Sequence, residues 1–445
     1  MPLRSLCYDL QLLRMPTPSL LIVPARFKSG KLYSQIPTSG AGDFTVTRAT
    51  TATRVNASGF IESVASGIPR LDYFASDGTV GCPALLVEPS GSNLVVQSEN
   101  WLASGWRSDA TANVTTVSAT TGTLDPLGTN TANAISPTSG NTSHTKVGND
   151  SATNFTSGTV YTASAFFKQG VGNAGRYVQI FWAPTRFASN TFANFDLQLG
   201  TVALVTGSTV TADIENYGNG WYRCRCTNTC ISTGTGANGI SIALIETSGS
   251  TRASIFTGTT TDILYGWGAQ LETGSIATSY IPTTTASATR NADVVTLSGA
   301  VSGCIGQTEG TIYVEVDMQR LILGSVFVLD VGGTGEYIAI SKLATGAFRV
   351  SIKKTSTSAV NIITTTTNAV GIYKLALGYK SGDYALYING VSRGTSTNAT
   401  DYPTGSLTQA VVSNANYGSL NDFIRAAALY TTRLTNDELI ALSTL

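Results

Sequence analysis

Two carboxylates stand two residues apart at Glu315 and Asp317, and this spacing is the sharpest hint of catalytic chemistry in the sequence. Alternate side chains of a β-strand share a face, so the pair could act as the nucleophile and acid of a glycosidase. An outward-facing polar strand edge explains the same spacing without chemistry, and we favour that interpretation. The single histidine, His144, lies among small polar residues without a Gly-x-Ser-x-Gly pattern, so we expect it in an exposed loop.

Cysteine usage gives little support for a metal or redox site. Six cysteines, at positions 7, 82, 224, 226, 230 and 304, are few and unevenly spaced, which does not predict a disulfide framework and fits synthesis in a reducing compartment. Cys224, Cys226 and Cys230 would share a strand face, but zinc normally needs a fourth ligand and paired spacing. We predict buried, unreactive thiols, no metal and no cofactor; a Ca²⁺ ion is conceivable but no recognised loop supports it.

Aromatic side chains are better candidates for a functional site, because sugars are held by aromatic faces flanked by hydrogen-bonding groups. The chain has 18 Tyr and many amide side chains. The aromatic residues that we expect to bind glycans are Trp182, Tyr217, Trp221, Trp267 and Tyr417. Core packing is the alternative for two of them. Trp221 follows a Gly-Asn-Gly turn and could fill the interior of the sandwich, and Trp267 lies in an apolar run that could be a core strand.

Composition limits the classes of partner. Only 12% of the residues are charged, and 27 basic side chains balance 27 acidic ones, so nothing attracts nucleic acid or an anionic membrane globally. The apolar run from Leu20 to Val23 is too short for a membrane span or a signal-peptide core. We expect residues 1–14 to be a loosely held arm, or to precede a functional start at Met15.

Short runs of alternating apolar and polar residues, separated by turn residues, predict an all-β protein. The runs over 312–318 and 348–353 each have one apolar and one polar face. The dipeptide Asn389-Gly390 between two such runs predicts a hairpin with a type I′ turn. Strands are therefore expected throughout most of the chain.

One helix is predicted at the carboxyl end. Thr435 can cap it and Glu438, three residues on, completes a capping box, with Leu434 and Leu439 as a hydrophobic staple. A chain of 445 residues exceeds what one core usually spans, so several domains are expected. The Thr-rich stretch over 281–287 predicts a linker, and a second break is expected between residues 93 and 100.

Motifs along nearly the whole chain resemble those of phage tail-fibre and head-fibre proteins. The amino-terminal motifs lie at residues 31–37, 48–56, 59–62, 69–73, 84–89 and 93–94. Motifs over 195–202, 218–223, 268–272, 278–283 and 289–290 are similar to a carbohydrate-binding-module-like β-sandwich of phage structural proteins. The segments over 310–317, 387–390 and 429–442 resemble a concanavalin-like or laminin-G-like jelly roll.

The resemblance implies three modules and an adhesive function. These are a virion-docking module over 1–94, a β-sandwich over 95–285, and a jelly roll with a short terminal helix over 286–445. Laminarinase-like hydrolases on the jelly-roll fold carry a third carboxylate where this chain has Gln319, so we do not expect an enzyme.

The expected protein is a structural fibre of a phage virion that adheres to host-surface or environmental glycans. It would be a homotrimer on the virion surface, made in the bacterial cytoplasm, and its amino-terminal module would contact capsid or tail proteins. Nucleic-acid binding and membrane insertion are not expected. Two alternatives stay open: a capsid decoration or head-fibre protein with a purely structural role, and a tailspike-type depolymerase whose carboxylates converge from different strands.

Overall fold

The computed structural model describes residues 16–74, 80–108, 114–117, 122–149, 152–298, 303–354 and 358–444. These residues form antiparallel β-sheets and one short carboxyl-terminal helix, which confirms the all-β prediction. The predicted arm over residues 1–14 lies outside the described residues. No helix in the described part of the chain is long and apolar enough to cross a membrane.

The strands fall into three groups along the chain. The first group is β1 (Leu20–Ile22), β2 (Phe27–Lys28), β3 (Lys31–Leu32), β4 (Phe44–Thr47), β5 (Ala52–Val55), β6 (Ile61–Val64), β7 (Leu71–Phe74), β8 (Val80–Val87) and β9 (Gly91–Asn93). The second group is β10 (Trp106–Ser108), β11 (Val114–Val117), β12 (Asn133–Pro137), β13 (Asn141–Gly148), β14 (Thr153–Phe155), β15 (Val160–Val171), β16 (Tyr177–Phe181), β17 (Phe192–Asp196), β18 (Thr201–Thr206), β19 (Thr211–Asn216), β20 (Trp221–Thr229), β21 (Gly234–Ala237), β22 (Ile240–Ile245), β23 (Ile255–Thr257) and β24 (Ile263–Thr273). The third group is β25 (Ala288–Arg290), β26 (Val294–Ser298), β27 (Glu309–Met318), β28 (Gly324–Asp330), β29 (Tyr337–Lys342), β30 (Phe348–Lys353), β31 (Val360–Thr364), β32 (Gly371–Lys380), β33 (Tyr384–Ile388), β34 (Val391–Ser396), β35 (Gln409–Ser413) and β36 (Asp422–Tyr430), followed by helix α1 (Asn436–Ser443).

The first and third groups together build one sandwich, which we call the outer sandwich (strands β1–β4, β7, β8 and β26–β36). One of its sheets has the order β34-β33-β32-β27-β36-β8-β7, with β1 also paired to β36. The other has the order β2-β3-β4-β26-β35-β28-β29-β30-β31. One buried apolar core, which runs from Leu20 to Leu429, lies between them.

Strands of the first and third groups are neighbours in both sheets. Leu20 is the register partner of Leu429, Leu85 that of Ile424, and Val46 that of Val295. The segment that the sequence predicts as a separate module over 1–94 therefore shares its sheets and its core with the segment predicted as a jelly roll over 286–445. Burial of alternating apolar residues explains the pairing, because neither segment alone supplies both faces of a core.

The second group forms a sandwich of its own, the inserted sandwich (β10–β24). Its sheets have the orders β10-β13-β22-β16-β17-β18, with β23 beside β13, and β11-β12-β24-β15-β20-β19. A separate apolar core, drawn from residues between Val95 and Leu271, fills the space between these two sheets. The chain leaves the outer sandwich at β9 and returns at β25, and these two strands pair with each other.

Five buried charged side chains, the junction cluster, lie where the chain crosses between the sandwiches. The members are Arg48, Arg70, Glu88, Arg290 and Asp293. Arg48 donates to Asp293 at 2.8 Å, Arg70 donates to Glu88 at 2.7 Å, and Arg70 also pairs with Asp293. Arg290 lies 3.4 Å from Glu88. Burial alone would raise the pKa of the Glu88 carboxyl, but the charges of Arg290 and Arg70 outweigh it and hold that pKa well below its usual range.

The predicted linker over 281–287 contains no strand. Its first half is nevertheless held in place by hydrogen bonds. The side-chain amide of Asn93 donates to the Ile281 carbonyl at 2.9 Å, and the Thr283 hydroxyl donates to the Val95 carbonyl at 2.6 Å. Ser279, just before this stretch, donates to Glu88 through its backbone N–H and through its hydroxyl, each at 2.7 Å. The segments that enter and leave the inserted sandwich are thus bonded side by side.

The local predictions at the carboxyl end are confirmed. Asn389 and Gly390 both have positive φ, 51° and 75°, as a type I′ turn requires, and they join β33 to β34. Thr435 is the N-cap of α1 and forms the full capping box with Glu438. Leu439 is buried on the helix face that packs against the outer sandwich.

We predict that the inserted sandwich can be excised. Replacing residues 94–287 by an Asn-Gly turn should leave a cooperatively folding outer sandwich, because Asn93 and Ala288 are register partners. Its stability should fall, since Glu88 loses both hydrogen bonds from Ser279. Circular dichroism and urea unfolding would measure this.

The matched control is residues 286–445 alone. This fragment lacks every outer-sandwich strand before residue 94 and should remain unfolded. A cooperative urea transition for it would contradict the shared core.

Candidate functional site

An open groove lies on the outer surface of the inserted sandwich, on the sheet that contains β13, β16 and β22. The empty space in it, which includes space open to solvent, is about 1120 Å³. Its lining combines apolar, hydroxyl and guanidinium groups, among them those of Arg107, Thr145, Phe181, Ser241, Arg252 and Ile255. The described residues that line it include no Asp, Glu or His.

Strand register places the groove residues in one row. Arg107 is the partner of Val147, Val147 of Ser241, and Ser241 of Phe181, across four neighbouring strands. Side chains of register partners lie on the same face of an antiparallel sheet. Thr145 lies two residues before Val147 and so shares that face. The hydroxyls and the Phe181 ring are therefore fixed by sheet geometry.

Two buried amide side chains hold the loop over 247–253 against this sheet. Gln179 donates to Asn194 at 2.8 Å, and the two amides donate to three loop carbonyls at 3.1, 3.0 and 2.7 Å. Gln179 also accepts from the backbone N–H of Ala253 at 2.7 Å. Both side chains are fully buried, and their hydrogen bonds all serve to order the loop.

The ordered loop positions Arg252 over the groove. Its guanidinium carbon lies 4.7 Å from the centre of the Phe181 ring, and Nη2 donates to the Trp182 carbonyl at 2.9 Å. Burial lowers the pKa of this guanidinium, but an arginine stays protonated at neutral pH. Arg252 Nε and the Thr145 hydroxyl are buried polar atoms without a hydrogen-bond partner among the described residues.

Buried polar atoms without partners occur at several places among the described residues, including the Nε of other arginines. Here they line an open groove together with the Phe181 ring and the side chain of Ile255, which is 68% exposed. The arrangement offers an apolar surface flanked by hydrogen-bond donors and acceptors. That combination can hold a small polar ligand by stacking and by hydrogen bonds.

The three tryptophans predicted to bind glycans are core residues instead. Trp182 is 3%, Trp221 1% and Trp267 0% exposed. Their indole N–H groups donate to Cys226 Sγ at 3.1 Å, the Leu124 carbonyl at 2.9 Å and the Thr131 hydroxyl at 3.2 Å, respectively. No sugar can stack on a ring that the protein already covers on both faces. For Trp221 and Trp267 the alternative of core packing describes the structure.

The two tyrosines are half-buried, and neither is among the residues that line the groove. Tyr217 contacts Phe74 of the outer sandwich and Phe166 of the inserted one, with ring centres 4.8 and 4.9 Å apart. Tyr417 lies on the outer sandwich, where its hydroxyl donates to the Gly333 carbonyl at 2.9 Å and its ring meets Tyr337 edge-on. Glycan binding by either tyrosine stays a prediction.

His144 is not in an exposed loop. It lies within β13, is fully buried, and its ring centre is 4.5 Å from that of Phe256. The expectation is wrong. The small polar residues around His144 show no apolar alternation and so give no strand signal, but they pair with β22 as a regular strand.

The cysteine cluster consists of buried free thiols, as predicted for Cys224, Cys226 and Cys230. Burial raises the pKa of the Cys226 thiol to about 12, so the reactive thiolate is scarce at neutral pH. Cys82 differs from these residues because it is disulfide-bonded. No group of His, Cys, Asp or Glu in the described parts of the chain is arranged to hold a metal ion.

Glu315 and Asp317 share a strand face, and both lie beside Arg425. The Arg425 guanidinium donates to Glu315 at 2.8 Å and lies 4.0 Å from Asp317. The pair is therefore a partly buried ionic cluster on β27. Burial raises the pKa of the Asp317 carboxyl.

No protein-family model and no curated protein matches the chain. Among solved structures, a leech intramolecular trans-sialidase is similar with 14% identity and a TM-score of 0.28, over 32% of this chain and 25% of the enzyme. The carbohydrate-binding module CBM40 of a Ruminococcus gnavus sialidase is 15% identical, with a TM-score of 0.26, over 32% of this chain and 85% of the module. A pentraxin of Limulus polyphemus is 12% identical, with a TM-score of 0.26, over 31% of this chain and 70% of the pentraxin. Likenesses this weak carry no argument about ligand or activity, so the function has to be inferred from the groove itself.

We predict that Gln179→Ala loosens the loop that carries Arg252. The change leaves the Ala253 N–H, the Thr251 carbonyl and part of Asn194 without partners, which should lower the free energy of unfolding by about 1–3 kcal/mol. Chemical denaturation measures the effect. Gln198→Ala is the control, because this exposed glutamine should change stability by less than about 0.5 kcal/mol. Equal stabilities for the two variants would refute the anchoring role.

Proposed function

We propose that this chain is a non-enzymatic adhesion protein that binds saccharides in the groove of the inserted sandwich. The observation that carries the proposal is the juxtaposition of an apolar floor with polar side chains, of which Thr145 and Arg252 each have an atom without a partner among the described residues. Phe181 and Ile255 supply the floor, while Thr145, Ser241 and Arg252 supply hydroxyl and guanidinium groups.

A saccharide fits this surface better than a purely apolar ligand. A sugar ring has a C–H face that packs on aromatic or aliphatic groups, and hydroxyls that both donate and accept hydrogen bonds. An apolar ligand would displace water from the polar groups that line the groove without replacing its hydrogen bonds, which disfavours binding. The open shape also suits one or a few residues of a longer glycan that continues into solvent.

The lining residues favour binding over catalysis. Cleavage of a glycosidic bond by the usual route needs two carboxyl groups that flank it. The described lining of the groove has neither Asp nor Glu. Glu315 and Asp317, the carboxylate pair noted in the sequence, lie on the outer sandwich beside Arg425.

The groove supports saccharide binding without indicating where the protein acts. On the basis of the sequence motifs, we propose that the protein is a component of a phage virion surface and that it assembles as a homotrimer. Its contacts with capsid or tail proteins would then be made by the outer sandwich, since the amino-terminal strands belong to it. Light scattering of the purified chain should give three times the mass of the 46.4 kDa monomer. A monomer at micromolar concentration would contradict the trimer.

We predict that Ile255→Asn weakens saccharide binding without affecting the fold. Ile255 is 68% exposed at the groove, so its loss removes ligand contact rather than core packing. The dissociation constant should rise about fivefold, which corresponds to about 1 kcal/mol of apolar contact. A glycan array on the full chain would select the saccharide, and isothermal titration would measure its affinity.

Ile231→Asn is the matched control, because Ile231 is 58% exposed and does not line the groove. This variant should bind like the parent. Equal affinities for both variants and the parent would place the saccharide elsewhere on the protein. Absence of any array signal would overturn the proposed function.

A further inference from the structure

Arg252 differs from the other stacked arginine on the same sheet in having no carboxylate partner among the described residues. Arg176 also covers an aromatic ring, with its guanidinium carbon 4.7 Å from the centre of Tyr177. Arg176, however, is bonded to both carboxylate oxygens of Asp196, at 3.0 and 2.6 Å. For Arg252 the described residues supply only the Trp182 carbonyl and the Phe181 ring. Its charge is therefore not neutralised by the groove around it.

Arg252 brings a positive charge into the groove, although the chain as a whole is neutral. The described lining offers no carboxylate to this charge, in a chain whose 27 basic and 27 acidic side chains balance. A partly buried cation is costly unless a counter-charge approaches it. Arg252 is also held in place before any ligand arrives, because Gln179 and Asn194 anchor its loop. Little conformational entropy would be lost when an anion binds there.

We propose that the groove selects acidic saccharides, whose carboxylate or sulfate group pairs with Arg252. This inference rests on the proposed function and narrows its ligand class. The planar guanidinium suits an oxyanion, and the described residues supply it with a carbonyl and an aromatic ring but no carboxylate. The sugar ring that carries the anion then lies toward Phe181 and Ile255.

Pairs of oligosaccharides that differ only in charge test the inference on the full chain. Oligomers of galacturonate, mannuronate and glucuronate would each be compared with their neutral methyl esters. A carrageenan tetrasaccharide, which carries sulfate without carboxylate, would be compared with its desulfated form. At least one acid should bind ten times more tightly than its ester, a difference of about 1.4 kcal/mol. The preference should shrink as the salt concentration rises from about 50 to about 500 mM. Over this range the screening length falls from above to below about 10 Å, which weakens the attraction between the anion and Arg252.

Arg252→Gln should abolish the preference for the acid, so that each acid and its neutral ester bind this variant with equal affinity. Arg176→Gln is the matched control, since it removes a stacked arginine whose charge already has a partner, and it should keep the tenfold preference. Circular dichroism would verify that both variants are folded.

Each result decides something different. Equal binding of acids and esters would overturn the selectivity and leave the saccharide-binding function standing. Binding of none of these probes, together with a silent glycan array, would overturn both. Loss of the preference in Arg176→Gln as well as in Arg252→Gln would refute the assignment to Arg252. Preference for the sulfated probe alone would identify sulfate, and not carboxylate, as the recognised group.

Discussion

The junction cluster is the interaction on which the architecture depends. Three arginines and two carboxylates are buried where the chain leaves and re-enters the outer sandwich. Removing one partner from such a buried network costs on the order of 3–5 kcal/mol, because another charge is left uncompensated. Arg48, Arg70 and Glu88 come from the first third of the chain, whereas Arg290 and Asp293 follow the insertion. The cluster therefore holds together the two halves of one sandwich that are separated by nearly 200 residues.

Sequence patterns indicate the strands of this protein but not their partners. Alternation over 312–318 and 348–353, the Asn389-Gly390 turn and the Thr435 cap are local signals, and each is sufficient for a correct prediction. The pairing of Leu20 with Leu429 is not encoded in either neighbourhood. A period of two tells which residues of a strand face a core, whereas the choice of neighbour depends on contacts distant in sequence. For that reason the split outer sandwich could not be derived from the pattern.

The motifs that resemble phage fibres describe architecture more than ligand binding. Arg48, Arg70, Glu88 and Arg290 belong to those motifs, and all four lie in the junction cluster. The candidate site has a weaker signal. Aromatic residues are the natural choice from composition, yet the three tryptophans pack in the interior. Arg252 lies in a polar turn without any motif, and its position depends on hydrogen bonds from Gln179 and Asn194, about 60 to 70 residues earlier in the chain.

One outer face of the inserted sandwich is covered by another part of the chain, and the groove lies on the opposite face. Trp221 and Trp267 lie on the outer surface of the sheet containing β15, β20 and β24, in a cluster with Ile61 of the β5–β6 hairpin. The hairpin covers that surface, and Thr53 within it donates to the Tyr280 carbonyl at 2.6 Å. Large aromatic side chains suit such a contact because they bury much apolar area. Among the described residues, the opposite sheet has no such cover over the groove and carries shorter hydroxyl side chains with Arg252. Because the hairpin covers the face that carries Trp221 and Trp267, the opposite face is the one that a ligand can reach.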